Sequence, residues 1–261
     1  MGSPGAGSCG GRLRTARSSV EILLAAVLVF IHIPGMDENE DMIQVDYSEY
    51  LLKNHCKILD AGVLSAFGVS DELVFFKGNA ELLNLPMASV VGTRSPTPAG
   101  VARAKKVVRV LVENGFCVMS GLAKGIDTAA HTHALELSGA TIAVLGTPVH
   151  KIYPAENRGL YERIVERGLI LSPAKPHEET GKFLFPRRNR LMARLSSATI
   201  VIEAGNTSGV VHQAAECLRQ GRKLIFLKSL VDNPDLEWPA KFLKSGALVL
   251  ETPEQLLEML R

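Results

Sequence analysis

The stretch MASVVGTRSPTPAGVARAKKVVRVLVENGFCVMSG, residues 87–121, holds one full turn of the pattern that decides the fold. An apolar, β-branched run, MASVV, passes through GTRSPT into a helical segment and then into a second apolar run, FCVMS. Pro98 suits a first helical turn, where its missing N–H costs nothing; Val101, Ala104, Val108, Leu111 and Val112 recur near helical spacing; Gly115 is a stop. The alternation then continues through helix GIDTAAHTHALELSG, strand ATIAVLG, helix NRGLYERIVERG, strand LILS, short helix RRNRLMARLS, strand ATIVIEA, helix SGVVHQAAECLRQG and strand KLIFLKS. Strands apolar on both faces belong in a parallel sheet covered by helices on each side. The expected fold is therefore α/β: a Rossmann-like, doubly wound, mostly parallel sheet with helices on both faces, over roughly 73–252, with a short N-terminal helical extension.

A chain of 261 residues with 46% hydrophobic content buries a full core, which predicts a soluble globular protein of one large domain with appendages. The expected division is a leader or a disordered or apolar segment over 1–35, a truncated helical module over 36–72 and the core over 73–261, with no winged helix after it. Net charge is only +2, so attraction to a polyanion has to come from a local basic patch. Cys9, Cys56, Cys117 and Cys217 form no CxxC pair, which argues against a zinc site or a disulfide framework and fits a reducing compartment. Residues 22–33, ILLAAVLVFIHI, are too few for a spanning helix, which needs about 20 residues. They follow arginines as in a signal peptide, yet Glu21 intrudes and no small-residue cleavage site precedes Pro34; a leader ranks first here, a signal or membrane anchor second and a core helix third.

In such a sheet, ligands sit beyond the carboxyl ends of the strands. Four turns there are rich in Gly, Ser or Thr: GTRSPTPAG, SGLAKGID, LGTPVHKIYP and EAGNTSG. Each offers backbone N–H groups and the positive end of a helix, together an anion cradle. The chain has no GKS or GKT, and GLAKG lacks the third glycine of a dinucleotide fingerprint. The candidate phosphate-binding residues are Gly92 and Arg94 in the first turn, Ser120, Gly121, Lys124 and Gly125 in the second, Gly146 in the third, and Ser208 and Gly209 in the fourth. GKFLFPRRNRLMARLSS, residues 181–197, carries Lys182, Arg187, Arg188, Arg190 and Arg194 without one acid. Cations that follow phosphates, with a ring on which bases stack, are what a single-stranded polynucleotide needs; Arg187, Arg188 and Arg190 supply charge and Phe185, or Phe183, a ring. Asn189 joins the candidates, although with Arg190 it also reads as a loop brace. Asp127 reads as a helix cap or dipole partner, Glu203 as a hydrogen-bond partner of a neighbouring loop, and Tyr153 with Pro154 as loop packing. His131 and His133 lie two apart and so point to different helix faces, which disfavours a shared metal. No catalytic residue, metal or cofactor is expected.

FFKGNAELLNLPMASVVGTR, SGLAKGIDTAAHTHAL, TIAVLG with IYPAEN, FPRRNRLMARLS and EAGNTSG, in that order, closely resemble the DprA/Smf family of DNA-processing proteins from about Leu73 to Leu250. The resemblance implies a Rossmann-like core that binds single-stranded DNA, forms a homodimer and, in natural transformation, helps to load the RecA recombinase; it implies a cytoplasmic protein without stable membrane association and without turnover. Arg94 matches an arginine of that family's DNA pocket. TPVHK replaces a glycine-rich turn, so that Pro148, His150 and Lys151 alter one pocket wall; Pro173, Lys228 and Ser229 also depart, as does the region of His212, where a threonine is usual. The alternative is a nucleotide-sensing or nucleotide-hydrolysing protein of the related phosphoribohydrolase-like superfamily. Glu216 lies seven residues beyond Gly209, out of place for the acid of those hydrolases, which disfavours hydrolysis more than sensing.

Overall fold

The computed structural model describes residues 28–32, 42–70, 72–179, 181, 183–206 and 208–261. One compact unit ends at Glu49 and contains β1 (Leu28–His32) and β2 (Met42–Asp46), which pair antiparallel with Leu28 opposite Asp46. Part of the expected leader is thus a strand; the rest of residues 1–35 lies outside the described residues.

From Tyr50 onward the chain forms a second unit. Its elements are α1 (Ser48–Asn54, which begins just before the division), β3 (Lys57–Ile58), α2 (Ala61–Ser65), β4 (Phe75–Gly78), β5 (Met87–Val91), α3 (Pro98–Glu113), β6 (Cys117–Ser120), α4 (Ile126–Glu136), β7 (Thr141–Val144), α5 (Arg158–Arg167) and β8 (Leu169–Ser172). There follow α6 (Leu184–Leu195), β9 (Ala198–Val201), α7 (Val210–Arg219), β10 (Lys223–Leu227), α8 (Lys228–Val231), α9 (Trp238–Lys244), β11 (Leu248–Leu250) and α10 (Leu256–Leu260). The sheet order is β11-β10-β9-β5-β6-β7-β8-β4-β3, parallel from β11 to β8 and antiparallel at β4 and β3. This is the doubly wound, mostly parallel sheet that the alternating pattern predicts. The helical extension is α1 and α2, but no boundary falls at residue 72: β3 pairs with β4 across it, Lys57 opposite Phe76, because an edge strand lowers the cost of its open N–H and C=O row by pairing.

Alternation along each strand supplies two cores. Met87 and Val91 of β5 face one side, with Leu191 and Met192 of α6 and Val210 and Ala214 of α7. Ala88 and Val90 face the other, with Ala104, Val108 and Leu111 of α3 and Ile126 and Ala130 of α4. α6 starts three residues earlier than the arginine run suggests, with Pro186 in its first turn, where a missing N–H is harmless.

β5 to β8 run outward in one direction, and the chain then returns to place β9 on the other flank of β5. The crevice between β5 and β9 is the topological switch point, where the following loops part. Glu203 spans it. Its carboxylate accepts from Thr97 N at 2.9 Å and from Thr97 Oγ1 at 2.8 Å, and pairs with Arg103 Nη2 at 3.2 Å. Its carbonyl accepts from Thr93 N at 2.6 Å. Thr97 Oγ1 in turn accepts from Gly100 N at 2.9 Å and caps α3. The reading of Glu203 as a hydrogen-bond partner of the neighbouring loop describes this contact.

Two stability predictions follow from these contacts. Glu203→Ala removes the acceptor of two α3 N-terminal donors and is expected to lower unfolding free energy by about 1–3 kcal/mol in chemical denaturation, with Glu203→Gln losing less. His131 of α4 is buried, with Nδ1 2.7 Å from Thr141 Oγ1, whose hydroxyl donates to Val118 O at 2.8 Å. Burial pulls this imidazole down from 6.5 to about 3. Between those values the unfolded chain binds the proton and the folded chain does not, so the stabilisation is present above about 6.5 and is lost as pH falls toward 3, at up to about 1.4 kcal/mol per unit. His131→Leu is expected to flatten that slope in denaturation curves recorded at stepped pH.

Candidate functional site

The loops after β5, β6, β7 and β9 meet at the carboxyl edge around an open cleft of about 560 Å³ and an adjoining recess of about 60 Å³. Arg94, Ala123, Phe185 and Arg188 line both. Gly92, Asn189, Ser208 and Gly209 line the cleft, and Gly121, Lys124 and Gly146 the recess. The structure therefore brings together ten of the residues named as candidates from the sequence. Two glycines make the geometry possible. A Cβ at Gly121 would collide with the guanidinium of Arg188, and one at Gly146 would come 2.8 Å from Phe185 Cδ1.

Arg188 is the central cation. Its Nη1 lies 3.4 Å from Val144 O and 3.6 Å from Met192 Sδ, and its Cζ is 5.9 Å from the centre of the Phe185 ring. Its counter-charge is Asp127, buried at the start of α4, whose Oδ2 accepts from Gly121 N at 3.1 Å and Ala123 N at 3.3 Å. Burial pushes the Asp127 carboxyl above the usual range, against the charge of Arg188 and the N–H groups of Ala123 and Gly121. Burial likewise draws the Arg188 guanidinium below its usual value; Asp127 opposes that and Arg94 adds to it. Asp127 is therefore not a cap, since the N-cap of α4 is Gly125, without a side-chain cap; its carboxylate lies in the first turn, orders the β6–α4 loop and holds Arg188. Arg94 is exposed at the rim and has no carboxylate partner among the described residues. Lys124 pairs with Glu156 at 2.6 Å, but both side chains are more than half exposed, so the pair is weak and the cation remains exchangeable.

Four candidates lie off the rim. Arg187 is held by Glu178 at 3.2 Å and Glu72 at 3.6 Å, and Arg190 by Glu216 at 3.8 Å. At about 100° per residue, positions 187 and 190 fall on neighbouring sides of α6 while 188 turns toward the cleft. The acid-free run in sequence is answered by acids from distant segments. Ser120 is fully buried and donates to Val90 O at 2.7 Å, so it braces the sheet. Gly125 adopts φ +79°, and a Cβ there would collide with Thr93 O; it shapes the turn beneath the rim. Lys182 lies outside the described residues.

Three residues escaped the sequence reading. Tyr153, read as packing, is 51% exposed and lines the recess, its ring 6.4 Å from that of Phe185 at an interplanar angle of 63°. Asn157 donates to Leu122 O at 2.9 Å and ties the α5 start to the β6–α4 loop. Both lie within the IYPAEN motif, which was the available signal. Gln213 of α7 lines the cleft, and nothing in its sequence setting marks it. In the altered loop, Thr147 Oγ1 donates to Lys151 O at 2.7 Å, and His150 Nδ1 lies 2.8 Å from the Tyr50 hydroxyl oxygen. Among the described residues no group of three His, Cys, Asp or Glu side chains could hold a metal, and no helix is long and apolar enough to cross a membrane.

Asp127→Ala would leave the half-buried Arg188 without its counter-charge, which is expected to cost up to about 3–5 kcal/mol of unfolding free energy. Arg188→Met in the same background should recover part of the loss, read as a coupling energy in a double-mutant denaturation cycle.

A family model described as DNA recombination-mediator protein A matches residues 63–261. The chain is 40% identical over 185 residues to the DNA processing protein DprA of Streptococcus pneumoniae, covering 68% of this chain and 65% of that protein. It is 40% identical over 178 residues to the Smf protein of Synechocystis, covering 67% of this chain and 44% of that one. The chain therefore spans less than two thirds of either relative. Among solved structures, S. pneumoniae DprA superposes with a TM-score of 0.70 at 33% identity, covering 82% of this chain and 78% of that one. Helicobacter pylori DprA, solved for insight into its single-stranded DNA binding mode, superposes with a TM-score of 0.69 at 26% identity, covering 78% of this chain and 95% of that one.

Proposed function

The chain belongs to the DNA recombination-mediator protein A family, and on that premise we propose that its carboxyl-edge cleft binds single-stranded DNA without sequence-specific reading and without turnover. The observation that carries this reading is the exposed, acid-free Arg94 beside Arg188, with the Tyr153 and Phe185 rings across the same recess. Phosphates pass along Arg94 and Lys124, while bases stack on the two rings. Arg188 contributes a positioned charge because Asp127 holds it from below. The occupation of Glu216 by Arg190, Arg219 and Gln220 Nε2 supports binding over hydrolysis. A RecA-type recombinase and a second copy of this chain are its proposed partners, and the cytoplasm its proposed compartment, on the ground of family membership.

Fluorescence anisotropy with labelled strands of increasing length at two salt concentrations, beside a duplex and a panel of mononucleotides, tests the reading. Affinity should rise with length and fall with salt. Arg94→Ala should lower the log–log salt slope by about 0.7, and Tyr153→Ala should weaken binding by about 1–3 kcal/mol, each with an unchanged melting temperature. Arg187→Ala, by contrast, should lower the melting temperature. Indifference to length and salt refutes strand binding, and a mononucleotide held as tightly as a long strand favours the nucleotide-sensing alternative.

A further inference from the structure

Outside the cleft, five basic groups from four segments gather around the altered β7–α5 loop. Tyr50 of α1 is their hub: its hydroxyl oxygen lies 2.8 Å from His150 Nδ1, and its ring stands 5.4 Å from the imidazole and 5.9 Å from the Phe75 ring of β4. Lys53 follows Tyr50 by three residues on one side of α1, and Lys77 follows Phe75 by two on one side of β4. Lys151 comes from the loop itself and His177 from the β8–α6 loop. Desolvation first, then the charges of Lys77, Lys151, His177 and Lys53, hold the His150 imidazole below its ordinary range. Among the described residues none of the five pairs with a carboxylate, and Glu178, next to His177, is taken by Arg187 and by Lys175 N. Elsewhere acids answer the clustered cations of this chain; here like charges are left together, and an anion laid among them removes their repulsion. The turn is fixed, since Thr147 Oγ1 donates to Lys151 O and the Tyr161 hydroxyl to Val149 O at 2.6 Å. Through Gly146, Thr147, Tyr153 and Pro154 the same loop lines the recess, so the cluster adjoins the recess without supplying any of its walls.

We propose that Lys53, Lys77, His150, Lys151 and His177 form a second phosphate-binding surface, adjoining the recess and separate from the cleft. The phosphates can be those of a strand that leaves the recess, which rests on the function proposed above, or of a free polyphosphate, which does not. A phosphate among these groups favours the charged imidazole, so its arrival raises the proton affinity of His150 and binding takes up a proton. The sign follows: affinity gains as pH falls, from the midpoint of the occupied state down to the lower midpoint of the free one. Tyr50 permits the change, because burial keeps its hydroxyl protonated and a hydroxyl accepts as well as donates. It donates to the neutral ring and accepts from the charged one.

Lys53→Gln combined with Lys151→Gln in the full chain is the test, because both side chains are exposed and neither holds a partner whose loss would unfold the protein. The probes are labelled oligothymidylates of about four and about twenty nucleotides, and inorganic tripolyphosphate. With the parent's melting temperature, the double variant should bind the longer strand with a log–log salt slope lower by about 1.4 and the shorter strand as the parent does. His150→Gln, which keeps an acceptor for the Tyr50 hydroxyl, should lessen the tightening on the longer strand that the parent shows from about pH 7.5 to about pH 5.5. A salt slope equal to the parent's, or a pH profile that His150→Gln leaves unchanged, overturns the surface and leaves strand binding standing. Equal weakening of both strands overturns it too, since the loop would then act only through the recess. If the parent binds neither strand, the function proposed above falls and tripolyphosphate decides: a His150 NMR titration midpoint that rises with tripolyphosphate in the parent but not in the double variant upholds the surface, and an unmoved midpoint overturns it.

Discussion

The site depends on a buried negative charge placed before it is needed. Asp127 stands at the start of α4, takes N–H groups from Gly121 and Ala123, and faces Arg188. One carboxylate thereby does two jobs: it closes the loop after β6, and it keeps a guanidinium partly buried beside an aromatic ring. A pair of this kind is a poor source of stability, because desolvation offsets attraction, but it fixes position well. Gly121 and Gly146 belong to the same arrangement, since their missing side chains are the space that Arg188 and Phe185 occupy.

Glu203 does for the scaffold what Asp127 does for the site. A doubly wound sheet parts its loops at the switch point, and a crevice that opens there needs walls that stay put. By receiving the Thr97 donors and the Arg103 cation, Glu203 joins the β9 loop to the head of α3. The crevice is braced on one side and left free on the other, where Gly205 and Gly209 offer no bulk. The cleft so formed mixes the charges of Arg94, Asp127 and Arg188 with the apolar side chains of Val91, Met192 and Val210.

The arginine run shows how charge on a helix is sorted by its neighbours. Three arginines within four residues look alike in one dimension. Wound into α6, one turns to the cleft and two turn to Glu72, Glu178 and Glu216, which come from three other parts of the chain. The functional basicity of the rim is accordingly smaller than the local composition suggests, and it centres on Arg94 and Arg188.

The order of strands and helices, their parallel sheet and the glycine-rich turns at its carboxyl edge were legible from the sequence alone, because hydrophobic periodicity and Gly or Pro punctuation are local consequences of backbone geometry. Arg94 and the glycine-rich turns were legible for the same reason: they sit where strand hands over to helix. Only the tertiary structure decided which cations stay free, since that depends on acids up to more than a hundred residues away in the chain. It alone decided that Tyr153 joins Phe185, and that Gln213 and Asn189 line one cleft, because pairing between remote segments leaves no period in either of them.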